Sequence, residues 1–189
     1  MLSICNDAPP EDRILSAAAT CVRDFGVERV TVAEIARRAG VSRPTIYRRW
    51  PDTRSIIAAM LTRNITGRLA QVSEAGQDRE SLVRQIVAVA SALRHDELVM
   101  AVLHSSLAQT YITERLGTSQ QILIDGLVAR LVAGQLDGSI RAGDCRHMAA
   151  MVLLIVQSSI QSAQIVAPIL DGDALAVELD HSLNGYLAP

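Results

Sequence analysis

The segment Val32–Trp50, VAEIARRAGVSRPTIYRRW, constrains the fold more than any other part of the chain. Two short apolar patterns of helical period flank Ala39-Gly40-Val41-Ser42, so the backbone must reverse sharply between two touching helices. Ala36 has to be small where those helices cross at close range. Gly40 can take the positive φ that the turn needs. Ile35, Val41 and Ile46 are spaced to fill the interhelical core. Together these residues make a helix-turn-helix pattern. Ser42 is placed to cap the second helix, whose electropositive start would present Arg43 and Thr45 to base edges, with Pro44 between them lacking an N–H. Arg48 and Arg49 follow about a turn later, where phosphates flank the groove.

Charge supports this placement. The net charge of −2 conceals a split: residues 1–68 carry 11 Arg against 7 acids, and residues 69–189 carry 7 Arg against 13. A basic head and an acidic body point to a polyanion at one end of the chain only. An arginine excess that merely solvates a helix would not concentrate on the turn and second helix of this motif.

No strand alternation of useful length occurs, so the predicted class is all-α: a three-helix head carrying the helix-turn-helix, and a larger helical body, about nine helices altogether. The first helix is predicted from Pro9 or Pro10 to Phe25, ended by Gly26. The second follows Thr31, where Thr31 and Glu34 fit a capping box, and stops at Gly40. The third starts after Ser42 and is short, closed at Trp50 by Pro51. A long helix capped by Asp52 extends to about Ala75, and further helices are predicted near 79–93, 95–110, 112–135, 144–167 and 172–187. The expected organisation is a loose tail over residues 1–8, a DNA-binding domain over 9–54 and an effector-binding and dimerisation domain over 55–189.

From Arg13 to about Met60 the chain resembles the TetR family of bacterial transcription regulators. The resemblance rests on RILSAAAT, Phe25-Gly26, Thr31-Val32, Glu34-Ile35-Ala36, Ala39-Gly40-Val41-Ser42, Tyr47 and Trp50. It implies that Arg43, Pro44 and Thr45 read bases and that Thr31, Tyr47, Arg48 and Arg49 serve the DNA backbone. Trp50 falls at a core position usually held by Phe. The family generally has Lys where Thr53 stands. Arg54 is the neighbouring substitute, directed about 100° away around the helix.

The resemblance further implies a homodimer on a palindromic duplex, repression as the default, and a small-molecule effector enclosed by the body. Met151, Ile155, Ser158, Ser159, Leu179 and Leu183 are the candidate dimer residues, on two helices apolar or small over much of their surface. His104, Tyr111, Gln157 and Gln161 are the polar candidates for orienting the effector. After Trp50 only Tyr111 and Tyr186 are aromatic, which favours an aliphatic ligand over a stacked planar one.

Other function classes find little support. The three cysteines, Cys5, Cys21 and Cys145, are far apart and lack metal-ligand spacing, and Cys21 sits among apolar helix positions. A reducing cytoplasm fits them, and no apolar run is long enough to span a membrane. No cofactor is expected. No hydrolase, P-loop or dinucleotide fingerprint is present, so an enzyme is not expected either. The alternative is a helical ligand-binding or interaction module whose head binds DNA weakly or not at all.

Overall fold

The computed structural model describes residues 8–72, 76–106 and 118–189. Of the tail expected over 1–8, only Ala8 is among them. Among the described residues every regular element is helical: α1 (Pro10–Phe25), a 3-10 turn (Val27–Arg29), α2 (Val32–Ala39), α3 (Arg43–Tyr47), α4 (Thr53–Gln71), α5 (Arg79–Arg94), α6 (Glu97–Leu103), α7 (Thr118–Leu136), α8 (Cys145–Gln161), α9 (Ala163–Val166) and α10 (Gly172–Leu187). The helices form two compact units. One holds the chain up to Asn64 together with α6, and the other runs from Ile65 to Asp96 and resumes with α7.

The first unit closes around a core of Ile14, Ala18, Cys21, Val22, Ile35, Ile46, Trp50, Ile56 and Met60. Cys21 is fully buried there, and burial pushes its thiol pKa up, as a core role requires. Leu98 and Val102 of α6 belong to the same core, and α6 packs on α1. Beyond α6, the backbone N–H and hydroxyl of Ser106 both donate to Glu28 Oε1, at 3.0 and 2.7 Å. α4 is continuous across Arg54 and Ser55, where a domain boundary is expected from sequence, and the two compact units divide within the same helix, between Asn64 and Ile65.

Several predicted helices are shorter than expected: α4 ends at Gln71 rather than near Ala75, and α6, within the helix expected over 95–110, spans Glu97–Leu103. α3 stops at Tyr47, not Trp50: the N–H of Arg48 turns back to the Ile46 and Pro44 carbonyls, and the chain leaves in a turn. The helix expected over 144–167 ends at Gln161, with Ser162 at φ −99°, ψ 5°, before the single turn of α9.

In the second unit α7 packs on α8 and α10 packs on α5. Leu82, Val83, Leu131, Met148, Val152, Leu183 and Leu187 are buried in it. α7 reaches Leu136 straight through Gly134. Ile140 folds back so closely that a Cβ at Gly134 would lie 2.5 Å from its Cδ1, and the Ile140 N–H donates to the Gly134 carbonyl at 2.9 Å. Asp144 then caps α8 by accepting from the N–H groups of Arg146 and His147.

Leu179 and Leu183, expected at the dimer surface, are instead buried inside the protomer at 4% and 0% exposure. α10 turns that side inward, so Val177, His181 and Gly185 are on its exposed face. On α8, Met151 and Ser158 are exposed, with His147 and Leu154 on the same stripe, while Ile155 and Ser159 are half-buried. Ile165 and Ile169, after α8, are almost wholly exposed.

Candidate nucleic-acid interface

The turn between α2 and α3 is fixed by backbone geometry first. Gly40 sits at φ 63°, ψ 38°, in the left-handed region. Its N–H bonds the Arg37 carbonyl and that of Val41 bonds Ala36, the paired pattern that ends a helix with glycine. Arg13 completes it. From α1, its Nε and Nη2 donate to the Ala39 carbonyl at 3.0 and 2.6 Å, and Nη2 also donates to the Gly40 carbonyl at 2.9 Å. A cation at the electronegative end of α2 satisfies carbonyls that have no helical partner. Sequence reasoning used Arg13 only to mark the start of the resemblance. Its role is a contact between distant residues, which local pattern does not encode.

Each helix start matches its capping residue. Thr31 Oγ1 accepts from the Glu34 N–H at 3.2 Å, and Ser42 Oγ accepts from the Thr45 N–H at 3.4 Å while lying 2.8 Å from Thr45 Oγ1. Only half of the expected capping box is present. The Glu34 carboxylate does not return to Thr31 but is held by Arg37 (2.6 and 2.9 Å) and by Arg38 Nε (2.7 Å). Arg38 also pairs with Asp24 and stacks over the Phe25 ring at 4.8 Å. These two arginines therefore tie α2 to itself and to α1.

Hydrogen bonds from Arg37 and then Arg38 lower the Glu34 pKa from 4.5 to about 2. A depressed carboxyl contributes stability that is fully present above its ordinary value and is lost as pH falls through the folded one. The Glu34 side-chain carboxyl signal should accordingly titrate near pH 2 in a carbon-detected NMR series. A midpoint near 4.5 would show that the two guanidinium groups do not hold it.

On α3 the faces separate cleanly. Ile46 is fully buried and Trp50, just beyond, is 7% exposed, while Arg43, Pro44, Tyr47, Arg48 and Arg49 are exposed and Thr45 half-exposed. Ala36 is buried and Val41 partly so, as their motif positions require. The guanidinium groups of Arg43, Arg48 and Arg54 have no carboxylate partner among the described residues, whereas Arg49 pairs with Glu11 at 2.7 Å. At the start of α4, Asp52 Oδ1 accepts from the N–H and hydroxyl of Ser55, both at 2.7 Å. Thr53 is half-buried and Arg54 exposed, which leaves Arg54 as the cation at that end.

The described effector candidates are divided between the two compact units. His104 lies exposed after α6, in the first unit, and Tyr111 lies outside the described residues. Gln157 and Gln161, one turn apart on α8, are half-buried in the second unit, and Gln157 accepts from Gln120 of α7 at 3.5 Å. Among the described residues no cluster of His, Cys, Asp and Glu is suited to a metal ion, and no helix is long and apolar enough to cross a membrane.

Comparison with known proteins bears on the whole chain. Residues 14–60 match the family described as bacterial regulatory proteins, tetR family. An HTH-type transcriptional regulator of Mycobacterium tuberculosis is 66% identical over 188 residues, covering 99% of this chain and all of that protein. The HTH-type regulator AqdR of Rhodococcus erythropolis is 43% identical over 53 residues, 28% of this chain and 26% of its own. The fold is shared with the TetR-family repressor AlkX from a Dietzia strain, with TM-score 0.70 and 21% identity over 96% of each chain. FadR from Bacillus subtilis, solved with stearoyl-CoA, aligns at TM-score 0.64 and 22% identity over 93% of this chain and 98% of its own.

Proposed function

The chain belongs to the tetR family of bacterial regulatory proteins, transcription regulators with a DNA-binding helix-turn-helix, and from that premise we propose that it is a homodimeric cytoplasmic repressor released from a palindromic operator by a small apolar effector. One observation carries the DNA side of this reading. α3 buries Ile46 and exposes Arg43, Thr45 and Tyr47 at its start and middle, followed by Arg48, with no acid facing Arg43 or Arg48 among the described residues. Arg43 and Thr45 are the base readers, Tyr47 and Arg48 bind phosphate, and Thr31 and Arg54 extend the backbone contact on either side.

One recognition helix reads too few base pairs to find a site in a genome, which is why such readers pair about a two-fold axis. The exposed faces of α8 (His147, Met151, Leu154, Ser158) and α10 (Val177, His181, Gly185) are the surfaces assigned to the second copy. The effector class follows from composition. Tyr186 is engaged by Arg141, whose guanidinium lies 4.7 Å over its ring, so few rings remain to stack on a planar ligand. An alkyl or acyl chain fits such a body better. FadR's stearoyl-CoA and AlkX's implication in n-alkane biodegradation are examples of that chemistry in proteins of this fold.

Release needs only a modest bias. α4 runs unbroken from the first compact unit into the second, so an effector that prefers one dimer geometry by about 1.4 kcal/mol would lower operator affinity tenfold. That preference would move the two recognition helices off the roughly 34 Å spacing of successive major grooves.

Selection from a random duplex pool tests the reading in one step, and a palindrome is expected. With that site in hand, Arg43→Ala should relax preference at one base pair by about 1–3 kcal/mol. Arg48→Ala should weaken every sequence alike and flatten the salt dependence by about one unit per head. Identical behaviour of the two variants in anisotropy titrations across salt would overturn this division of roles. Failure to bind any duplex at low ionic strength would overturn the proposal itself.

A further inference from the structure

We propose that Glu11 restrains Arg49 and so sets how tightly the head holds DNA of any sequence, an inference that rests on the DNA-binding reading above. Glu11 is the second residue of α1. Pro9 and Pro10 precede it, and their fixed φ angles set the backbone from which its side chain starts. Its Oε2 lies 2.7 Å from Arg49 Nη2, across a concavity lined by Pro9, Pro10, Glu11, Thr45, Arg48 and Arg49. The Arg49 guanidinium also lies 5.6 Å from the centroid of the Trp50 ring.

This pair differs from the other ion pairs of the head in where it sits. Glu34 and Asp24 hold Arg37 and Arg38 on α2. Glu11 instead reaches an arginine immediately after the recognition helix, next to Arg48, which has no carboxylate partner among the described residues. Both partners are well exposed, at 61% and 39%, so the pair contributes little to folding. Its effect falls on the encounter with a polyanion. A guanidinium already facing a carboxylate displaces no counterion when it meets a phosphate unless that carboxylate first lets go. Glu11 thereby keeps one cation per head from adding to sequence-independent affinity, and a larger share of the protein remains available to search for its site.

Glu11→Gln removes the charge and keeps the size. At about 50 mM salt it should tighten binding to a duplex of arbitrary sequence by roughly threefold to tenfold and steepen the logarithmic salt slope by about 0.9 per head. In an Arg49→Gln background the same substitution should change neither quantity. Wild-type behaviour of Glu11→Gln would overturn the inference. So would an equal gain in both backgrounds, since that would mean Glu11 repels phosphate directly. If neither the wild type nor any variant binds duplex, the DNA-binding reading fails; if all bind and Glu11→Gln is silent, only this inference fails.

Discussion

Gly40→Val should abolish operator binding and destabilise the first unit by about 3–5 kcal/mol. Two costs combine. A β-branched residue at φ 63° carries at least the roughly 1–2 kcal/mol penalty of a left-handed L-residue. In addition, a Cβ at this position would lie 3.1 Å from Arg13 Nη2, and the γ-carbons of valine would force the guanidinium away from the Ala39 and Gly40 carbonyls. Hydrogen bonds to a charged donor contribute about 1.5–3 kcal/mol, so losing this fork is the larger part. The chain has one tryptophan, Trp50, and it is buried in the same unit, so its fluorescence during urea unfolding reports the loss directly. Gly40→Asn separates the two costs, because asparagine tolerates the left-handed region, and Arg13→Met removes the fork with the backbone untouched. If Gly40→Val melts with the wild type, the turn does not depend on its geometry.

Ile46→Ala should cost about 2–5 kcal/mol, the range for truncating a fully buried aliphatic side chain, with loss of sequence discrimination before loss of all DNA affinity. α3 spans five residues, far below the length at which a helix persists alone in water. Its direction is therefore set by what anchors it, and Ile46 is its one fully buried side chain, joined to Trp50 through the Trp50 N–H to Ile46 carbonyl bond at 3.0 Å. If Arg43 and Thr45 read bases as proposed, cutting back the anchor takes them out of register while Arg48 and Arg54 still attract phosphate. Ile56→Val, at a buried site on α4, should cost only about 0.5–1.5 kcal/mol and leave discrimination intact. Equal discrimination in Ile46→Ala and the wild type would show that α3 is held by something else.

The turn and its two helices were legible because every requirement there is local. Gly40 supplies a dihedral, Ala36 a volume, and Thr31, Ser42 and Asp52 supply oxygens to N–H groups two or three residues away. Contacts between distant residues were not legible. Arg13 reaches Ala39, Glu11 reaches Arg49 and Ser106 reaches Glu28, with no periodicity to announce any of them. Counting arginines on the motif also overstated its open charge, although Glu34, three and four residues before Arg37 and Arg38, was a visible sign of their pairing. On α10 the pattern misled because apolar residues occur on more than one side: Leu179 and Leu183 look as suited to a partner as Val177 does, and only packing against α5 decides which side is inside.

The docking of α6 on α1 has a consequence for modular exchange. Leu98 and Val102 finish the hydrophobic interior of the DNA-reading unit although they follow it by the whole length of α5. A head excised after α4 would leave with an uncovered apolar patch, and a hybrid joining this head to a relative's body would inherit a foreign α6 against α1. The two compact units of this chain are thus interleaved along the sequence, and a working chimera needs two splice points rather than one.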